Sequence, residues 1–196
     1  MKKLILAAVA VFAMGNSAFA QQEIKFGPKA GVNFANISGD DNAEMKTAFH
    51  VGMFLEFKLD DNWSIQPEVL YSSQGAKTSY TVFGQTLESD ITADYVNIPV
   101  MAKYYVAEGF SIEAGPQIGF LMSAKAGDQD VKDSYKSMDI SGNVGVNYDF
   151  PMGLFINARY SHGFTKINED VTVAGFTAEA PDYKNSVIQV GVGYKF

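Results

Sequence analysis

The sequence predicts an all-β fold, a closed antiparallel up-and-down transmembrane β-barrel of about eight strands, with short turns at one rim and long loops at the other. Three observations carry this expectation. Apolar and polar residues alternate with a period of two along segments of about ten residues, the length a tilted membrane strand needs. The connections alternate between tight turns and long polar stretches. The ionisable residues inside the segments fall on the face opposite the apolar one.

The chain opens on an address. Lys2 and Lys3 precede an apolar run from Leu4 to Met14 and a small-residue ending, Ala18-Phe19-Ala20. The run, about eleven residues, is too short to cross a bilayer core of roughly 30 Å as a helix, which takes about twenty. Residues 1–20 therefore read as a cleaved secretory signal, and 21–196 as one barrel domain.

The alternation is clearest from Phe49 to Leu59, where Phe49, Val51, Met53, Leu55, Phe57 and Leu59 share a face opposite His50, Gly52, Phe54, Glu56 and Lys58. Successive strand side chains point to opposite faces, so one face is apolar and the other carries the charge. The first strand sets Phe26, Ala30, Val32 and Phe34 against Lys25, Gly27, Lys29, Gly31 and Asn33; the third sets Trp63, Ile65, Pro67, Val69 and Tyr71 against Ser64, Gln66, Glu68 and Ser72. Val96 to Tyr104 opposes Asn97, Pro99, Met101 and Lys103, and Phe110 to Phe120 opposes Ser111, Glu113, Gly115, Gln117 and Gly119. The last three oppose Ile140, Val144, Val146, Tyr148 and Phe150 to Asp139, Asn143, Gly145 and Asn147; Leu154, Ile156, Ala158 and Tyr160 to Phe155, Asn157 and Arg159; and Ile188, Val190, Val192, Tyr194 and Phe196 to Gln189, Gly191, Gly193 and Lys195.

Tight turns fall at Asp60 to Asn62, Ala107 to Gly109 and Pro151 to Gly153. Longer polar segments fall near Ala35 to Thr47, Ser73 to Thr92, Met122 to Ser137 and His162 to Tyr183. Outer-membrane barrels have this asymmetry, with short periplasmic turns and long extracellular loops. The stretch from Ser79 to Ile91, with Gly84 near its middle, either extends a hairpin above the membrane or raises the count to ten strands.

Charge decides which face meets lipid. Glu56, Lys58, Glu68, Lys103, Glu113 and Arg159 all lie opposite the apolar faces. A charge facing lipid at mid-depth costs about 2 to 4 kcal/mol. Six would exceed a domain's typical stability of roughly 5 to 15 kcal/mol, so these side chains point inward and form an ionic network. Glycines on the same face leave room for it in a narrow lumen, giving a packed plug rather than an open pore. Phe49, Trp63, Tyr71, Tyr104, Phe110, Phe150, Tyr160, Tyr194 and Phe196, near strand ends, suit interfacial girdles.

Composition removes other classes. Loss of Lys2 and Lys3 with the leader takes the formal charge from −7 to −9, which argues against nucleic-acid binding. There is no cysteine, hence no disulfide and no thiolate metal site. A mean hydropathy of −0.03 is compatible with a barrel, whose strands show lipid at every second residue.

The C-terminal run Gln189-Val190-Gly191-Val192-Gly193-Tyr194-Lys195-Phe196 resembles the assembly signal of outer-membrane barrels, with Gln189, Gly191, Tyr194 and Phe196 at its characteristic positions. Tyr95-Val96-Asn97-Ile98-Pro99-Val100, Glu113 to Phe120 and Ala158-Arg159-Tyr160-Ser161 resemble the PorT-like outer membrane protein beta-barrel family, often called porin family proteins. The resemblance implies a small barrel of the OmpA and OmpX type, integral to a Gram-negative outer membrane, with membrane lipid and the barrel-assembly machinery as partners. It transfers no activity, because fold does not imply function.

His50, His162 and Ser161 are the candidates for a nucleophile and its base. Ser161 and His162 are neighbours, so in a strand they point to opposite faces and cannot act as nucleophile and base. His50 faces the lumen near Glu56 and is placed with the ionic network. The acidic clusters Asp40, Asp41 and Glu44, and Asp128 with Asp130, lack calcium-loop spacing and read as solvated loops. The expectation is a non-enzymatic barrel without cofactor or metal. Its role is structural or surface-interacting, through loops that meet an extracellular or envelope protein. A narrow channel for small solutes is the alternative, and a soluble carrier of lipocalin type, with the apolar face inward, is a third.

Overall fold

A computed structural model of the chain describes residues 23–39, 43–82, 85–168, 171–173, 176–178 and 182–196. The leader lies outside them. Eight long strands build the fold: β1 (Ile24–Ser38), β2 (Ala43–Lys58), β3 (Trp63–Val82), β4 (Gln85–Ala107), β5 (Phe110–Ala126), β7 (Met138–Asp149), β8 (Leu154–Gly163) and β11 (Lys184–Tyr194). Three short strands, β6 (Gln129–Asp130), β9 (Val171–Val173) and β10 (Phe176–Ala178), lie in the connections. The long strands pair antiparallel in the order β4-β3-β2-β1-β11-β8-β7-β5, and β4 pairs again with β5. The sheet is thus a closed ring of eight. Closure leaves no strand edge within the wall, so its backbone donors and acceptors are paired, as a bilayer requires.

The tight turns sit where the sequence puts them, each with its own local cause. Asp60 Oδ1 accepts the backbone N–H groups of Asn62 and Trp63, both at 2.8 Å. Gly109 and Gly153 take φ of +73° and +88°, a region that disfavours side chains. Two of the long polar segments, Ala35 to Thr47 and Ser73 to Thr92, differ from expectation, because most of each is strand. β3 and β4 pair without interruption from Leu70↔Asn97 to Val82↔Gln85, and β1 and β2 run to Ser38 and from Ala43. Polar composition marks departure from the membrane rather than an end to pairing; Thr78, Thr81, Val82 and Thr86 keep the β-branched character that a ladder favours. Ser79 to Ile91 extends one hairpin, so the ring holds eight strands, not ten.

The two faces separate cleanly. Val51, Val69, Val100, Ile112, Val146, Ile156 and Val190 stand exposed on the outside, whereas Lys29, Asn33, Gln66, Glu68, Lys103, Glu113 and Arg159 are buried inside. Near the short turns, Trp63 packs on Tyr104 and Tyr148 on Phe150, with ring centroids 4.9 Å apart in both pairs. Phe49 lies 5.9 Å from Tyr71 towards the other end. There the interior turns apolar: Ala93, Tyr95, Leu121 and Ala124 form one cluster, and Ile37, Ala76 and Ile167 another, with Tyr135 packed against both. Loop backbone ties this cover together, since Lys136 N donates to Ile167 O at 2.8 Å and Ile167 N to Tyr183 O at 2.9 Å.

Candidate functional site

Among the described residues, the lumen is where the fold concentrates chemistry that a bare scaffold would not need. Its centre is Glu68 on β3. Arg159, on the strand diametrically opposite in the ring, reaches it with Nη1 to Oε2 at 3.1 Å and Nη2 to Oε1 at 2.8 Å. Its Nε donates to Glu113 Oε1 at 2.9 Å. Lys29 Nζ adds contacts of 3.3 and 3.2 Å to the two Glu68 oxygens, and Gln66 Nε2 donates to Oε1 at 2.8 Å. A buried carboxylate with so many donors has its desolvation largely offset.

A second cluster lies towards the short turns. Lys195 Nζ meets Glu56 Oε2 at 2.5 Å and Asp149 Oδ2 at 2.6 Å, and Lys103 stands 3.7 Å from Glu56. Tyr105 donates its hydroxyl to Glu56 and sits 3.1 Å from Asp149, while Ser64 donates to Glu56 at 2.8 Å. Phe54 and Phe155 pack edge to face at 5.2 Å, and Lys103 and Lys195 lie 5.9 and 5.5 Å from the centre of the Phe155 ring. The alkyl stems thus rest on an aromatic shelf inside the barrel. Lys103 also donates to Gln66 at 3.1 Å, linking the two clusters.

Of the six residues marked for an ionic network, Glu56, Glu68, Lys103, Glu113 and Arg159 come together here. Lys58 does not. It ends β2, half-exposed at the mouth, with no ion pair among the described residues, because the lumen opens to water at that level. His50 is also corrected: it faces the lumen, but its Nδ1 lies 2.8 Å from Asn33 Oδ1 in a neutral group rather than on Glu56. The alternation had placed Lys29 and Lys195 on the polar face without giving them a role, and it had not singled out Asp149 and Tyr105. All four share the parity of the inward residues of their strands, which is the signal that could have found them.

The charges of the two clusters pair off, while Asp139, also buried inside, accepts from Thr165 and Asn185 instead of a cation. Lys29, Lys103, Arg159 and Lys195 face Glu56, Glu68, Glu113 and Asp149, each with a partner of opposite sign. Below the lower cluster opens a mouth cavity of about 760 Å³, with Glu56, Tyr105, Asp149 and Lys195 among its lining residues. Ser161 is buried towards the lumen, whereas the His162 ring sits between Tyr160 and Phe164, 6.2 and 6.1 Å away, on the other face. Among the described residues no group of three His, Cys, Asp or Glu stands together as a metal site. Of the C-terminal motif, Gln189 is buried inside, Gly191 faces the lumen, and Tyr194 and Phe196 point outward with ring centroids 4.9 Å apart.

The family model described as the outer membrane protein beta-barrel domain matches residues 19–169. The chain belongs to that family. As an outer-membrane barrel it is integral to the outer membrane, with its apolar wall in lipid. No curated protein matches it in sequence. Among solved structures, this outer-membrane barrel is similar to Ail, the attachment invasion locus protein of Yersinia pestis, at 13% identity and a TM-score of 0.51, over 89% of this chain and 99% of that one. It is also similar to Neisserial surface protein A, at 15% identity and a TM-score of 0.53, over 88% and 97% of the two chains. At such identities the likeness speaks to the fold alone.

Proposed function

We propose that this outer-membrane barrel is a closed, non-catalytic scaffold that displays its loops at the cell surface for adhesion, protection or partner binding. One observation carries the reading: the lumen is filled by paired charges spanning its diameter, and its outer end is covered by Tyr135, Ile167 and their apolar neighbours. These pairs hold one another across the lumen rather than standing free to draw ions through. In this reading residues 1–20 direct export and are cleaved after Ala20, and Gln189, Gly191, Tyr194 and Phe196 present the last strand to the barrel-assembly machinery.

Ail has been crystallised with the heparin analogue sucrose octasulfate. A polyanion suits this chain poorly, since its charge after loss of the leader is −9 and its long polar segments include Asp40, Asp41, Asp128, Asp130 and the Glu169-Asp170 pair. The partner is therefore a protein surface that is basic or neutral.

Planar-bilayer recording of the purified protein tests the closed lumen. The expected result is a flat trace, with unitary steps appearing only after Glu68 and Arg159 are both replaced by alanine. Reproducible steps from the unaltered protein would instead favour a narrow channel, for which the mouth cavity of about 760 Å³ is the supporting feature.

A further inference from the structure

One place on the outer wall departs from its apolar pattern. The strand registers set Pro116 beside Gly142, Gly142 beside His162 and His162 beside Ser186, so these residues form a single outward row across β5, β7, β8 and β11. The row beneath it is Ala114, Val144, Tyr160 and Ile188, with Val144, Tyr160 and Ile188 exposed. Gly142 leaves the upper row without a side chain in its middle. There an open groove of about 590 Å³ is walled by Pro116, Val144, Tyr160, His162 and Phe164. Phe164 closes it on one side, since a Cβ at Gly142 would lie 2.7 Å from the tip of that ring.

The polar groups of the groove stand at its top. His162 is the last outward residue of β8, and its ring is held between those of Tyr160 and Phe164, with centroids 6.2 and 6.1 Å away. Ser186 Oγ donates to the Tyr160 hydroxyl at 3.2 Å, which leaves the phenol proton for His162 Nδ1 at 3.4 Å. A neutral imidazole that accepts at Nδ1 carries its own proton on Nε2. Nε2 is thus a hydrogen-bond donor, and among the described residues nothing accepts from it.

Where the groove opens determines what fills it. It lies on the wall that faces lipid, at the height of the Tyr160 ring, where an aromatic belt meets the headgroups. Acyl chains lie against its lower part and the ester groups of the lipids against its top. A donor at that level is satisfied by an acceptor from the bilayer, and the ester carbonyl at the head of each chain is one. Lys184, the next outward residue of β11, is paired with Asp182 at 2.9 Å, so this pair favours neither sign of headgroup. Lower on β11, the outward residues Ile188, Val190 and Val192 offer lipid hydrocarbon alone.

We propose that the groove is a binding site for one ester-linked acyl chain of a membrane lipid. The carbonyl oxygen accepts from His162 Nε2, and the chain runs from Gly142 down past Val144. The lipid is held there at one fixed place on the wall, whether or not the lumen conducts.

Mass spectrometry of the intact mature barrel, released from a non-ionic detergent, tests the site with two probes. These are dimyristoyl phosphatidylcholine and its ditetradecyl ether analogue, which share headgroup and chain length and differ in the ester carbonyls. One lipid per barrel is expected to stay bound, with the ester retained about three- to tenfold more than the ether, the yield of one hydrogen bond. His162→Phe should bring the ester down to the level of the ether and leave the ether unchanged. Gly142→Leu, which fills the groove, should lower both. Equal retention of the two lipids by the unaltered protein, an ester preference that survives His162→Phe, or retention undiminished in Gly142→Leu overturns the proposal. If Gly142→Leu does not fold, Pro116→Leu narrows the same groove from its other side, with the same expectation and the same refuting outcome.

Discussion

Arg159 grips Glu68 across the full width of the barrel, two parallel hydrogen bonds of 3.1 and 2.8 Å joining strands that lie four places apart in a ring of eight. The pair acts as a strut. Replacing Arg159 with methionine leaves Glu68 with Lys29 as its one ion pair and Gln66 as a neutral donor, and leaves Glu113 without its guanidinium. Breaking a buried pair from one side costs about 3 to 5 kcal/mol. Unfolding in urea should register that loss for Arg159→Met, and the double variant Glu68→Gln with Arg159→Met should lose clearly less than the two single losses together. Strict additivity would mean that the two side chains do not support each other.

Lys195 and Lys58 offer a sharper contrast, because both are lysines on the inward face near the same mouth. Lys195 holds Glu56 and Asp149 at 2.5 and 2.6 Å, whereas Lys58 holds no partner among the described residues. Lys195→Met is expected to lower stability by about 1 to 3 kcal/mol, less than Arg159→Met because water in the mouth reaches Asp149. Lys58→Met should stay within about 0.5 kcal/mol of the parent. Equal losses in the same unfolding assay would show that position along the strand, rather than pairing, sets the value.

That contrast also marks how far the sequence can be read. Alternation fixes which residues point inward, and it does so for Glu56, Glu68, Lys103, Glu113 and Arg159 without any knowledge of neighbours. It says nothing of which inward residues meet, because that depends on how the eight strands stagger as the ring closes. Arg159 and Glu68 are 91 residues apart and no periodicity links them. Lys29 was on the polar face from the start, yet only closure brings it to Glu68. The aromatic shelf of Phe54 and Phe155 is hidden for a different reason: an apolar residue on a polar face looks like noise until its partner arrives from across the lumen.

The outward face makes its own demand. Val190 is 49% exposed on the outer surface of β11, between Val32 and Ala158 in the sheet, and Met152 is 69% exposed in the Pro151 to Gly153 turn. Exposure alone would rank Met152 as the more buried by lipid. Depth reverses that order, so Val190→Arg should cost about 2 to 4 kcal/mol and Met152→Arg about 0 to 1. The measurement is reversible unfolding from lipid vesicles. A soluble carrier with its apolar face inward would show neither penalty in the absence of lipid.

Phe196 separates folding from delivery. It is 64% exposed, and among the described residues its ring packs on Phe26 at 5.7 Å and Tyr194 at 4.9 Å. Pairs of this kind contribute about 0.5 to 1.5 kcal/mol each, so Phe196→Ala should refold into detergent with a modest loss, no more than about 3 kcal/mol. If the terminal aromatic is also what the assembly machinery reads, the same variant should reach the outer membrane of living cells several-fold less efficiently, as judged by fractionation and heat-modifiable gel mobility. Phe26→Ala is the control, because it removes the same ring contact from the other side while leaving the C-terminal motif intact. Equal insertion defects for the two variants would assign the effect to packing and withdraw the recognition role from Phe196.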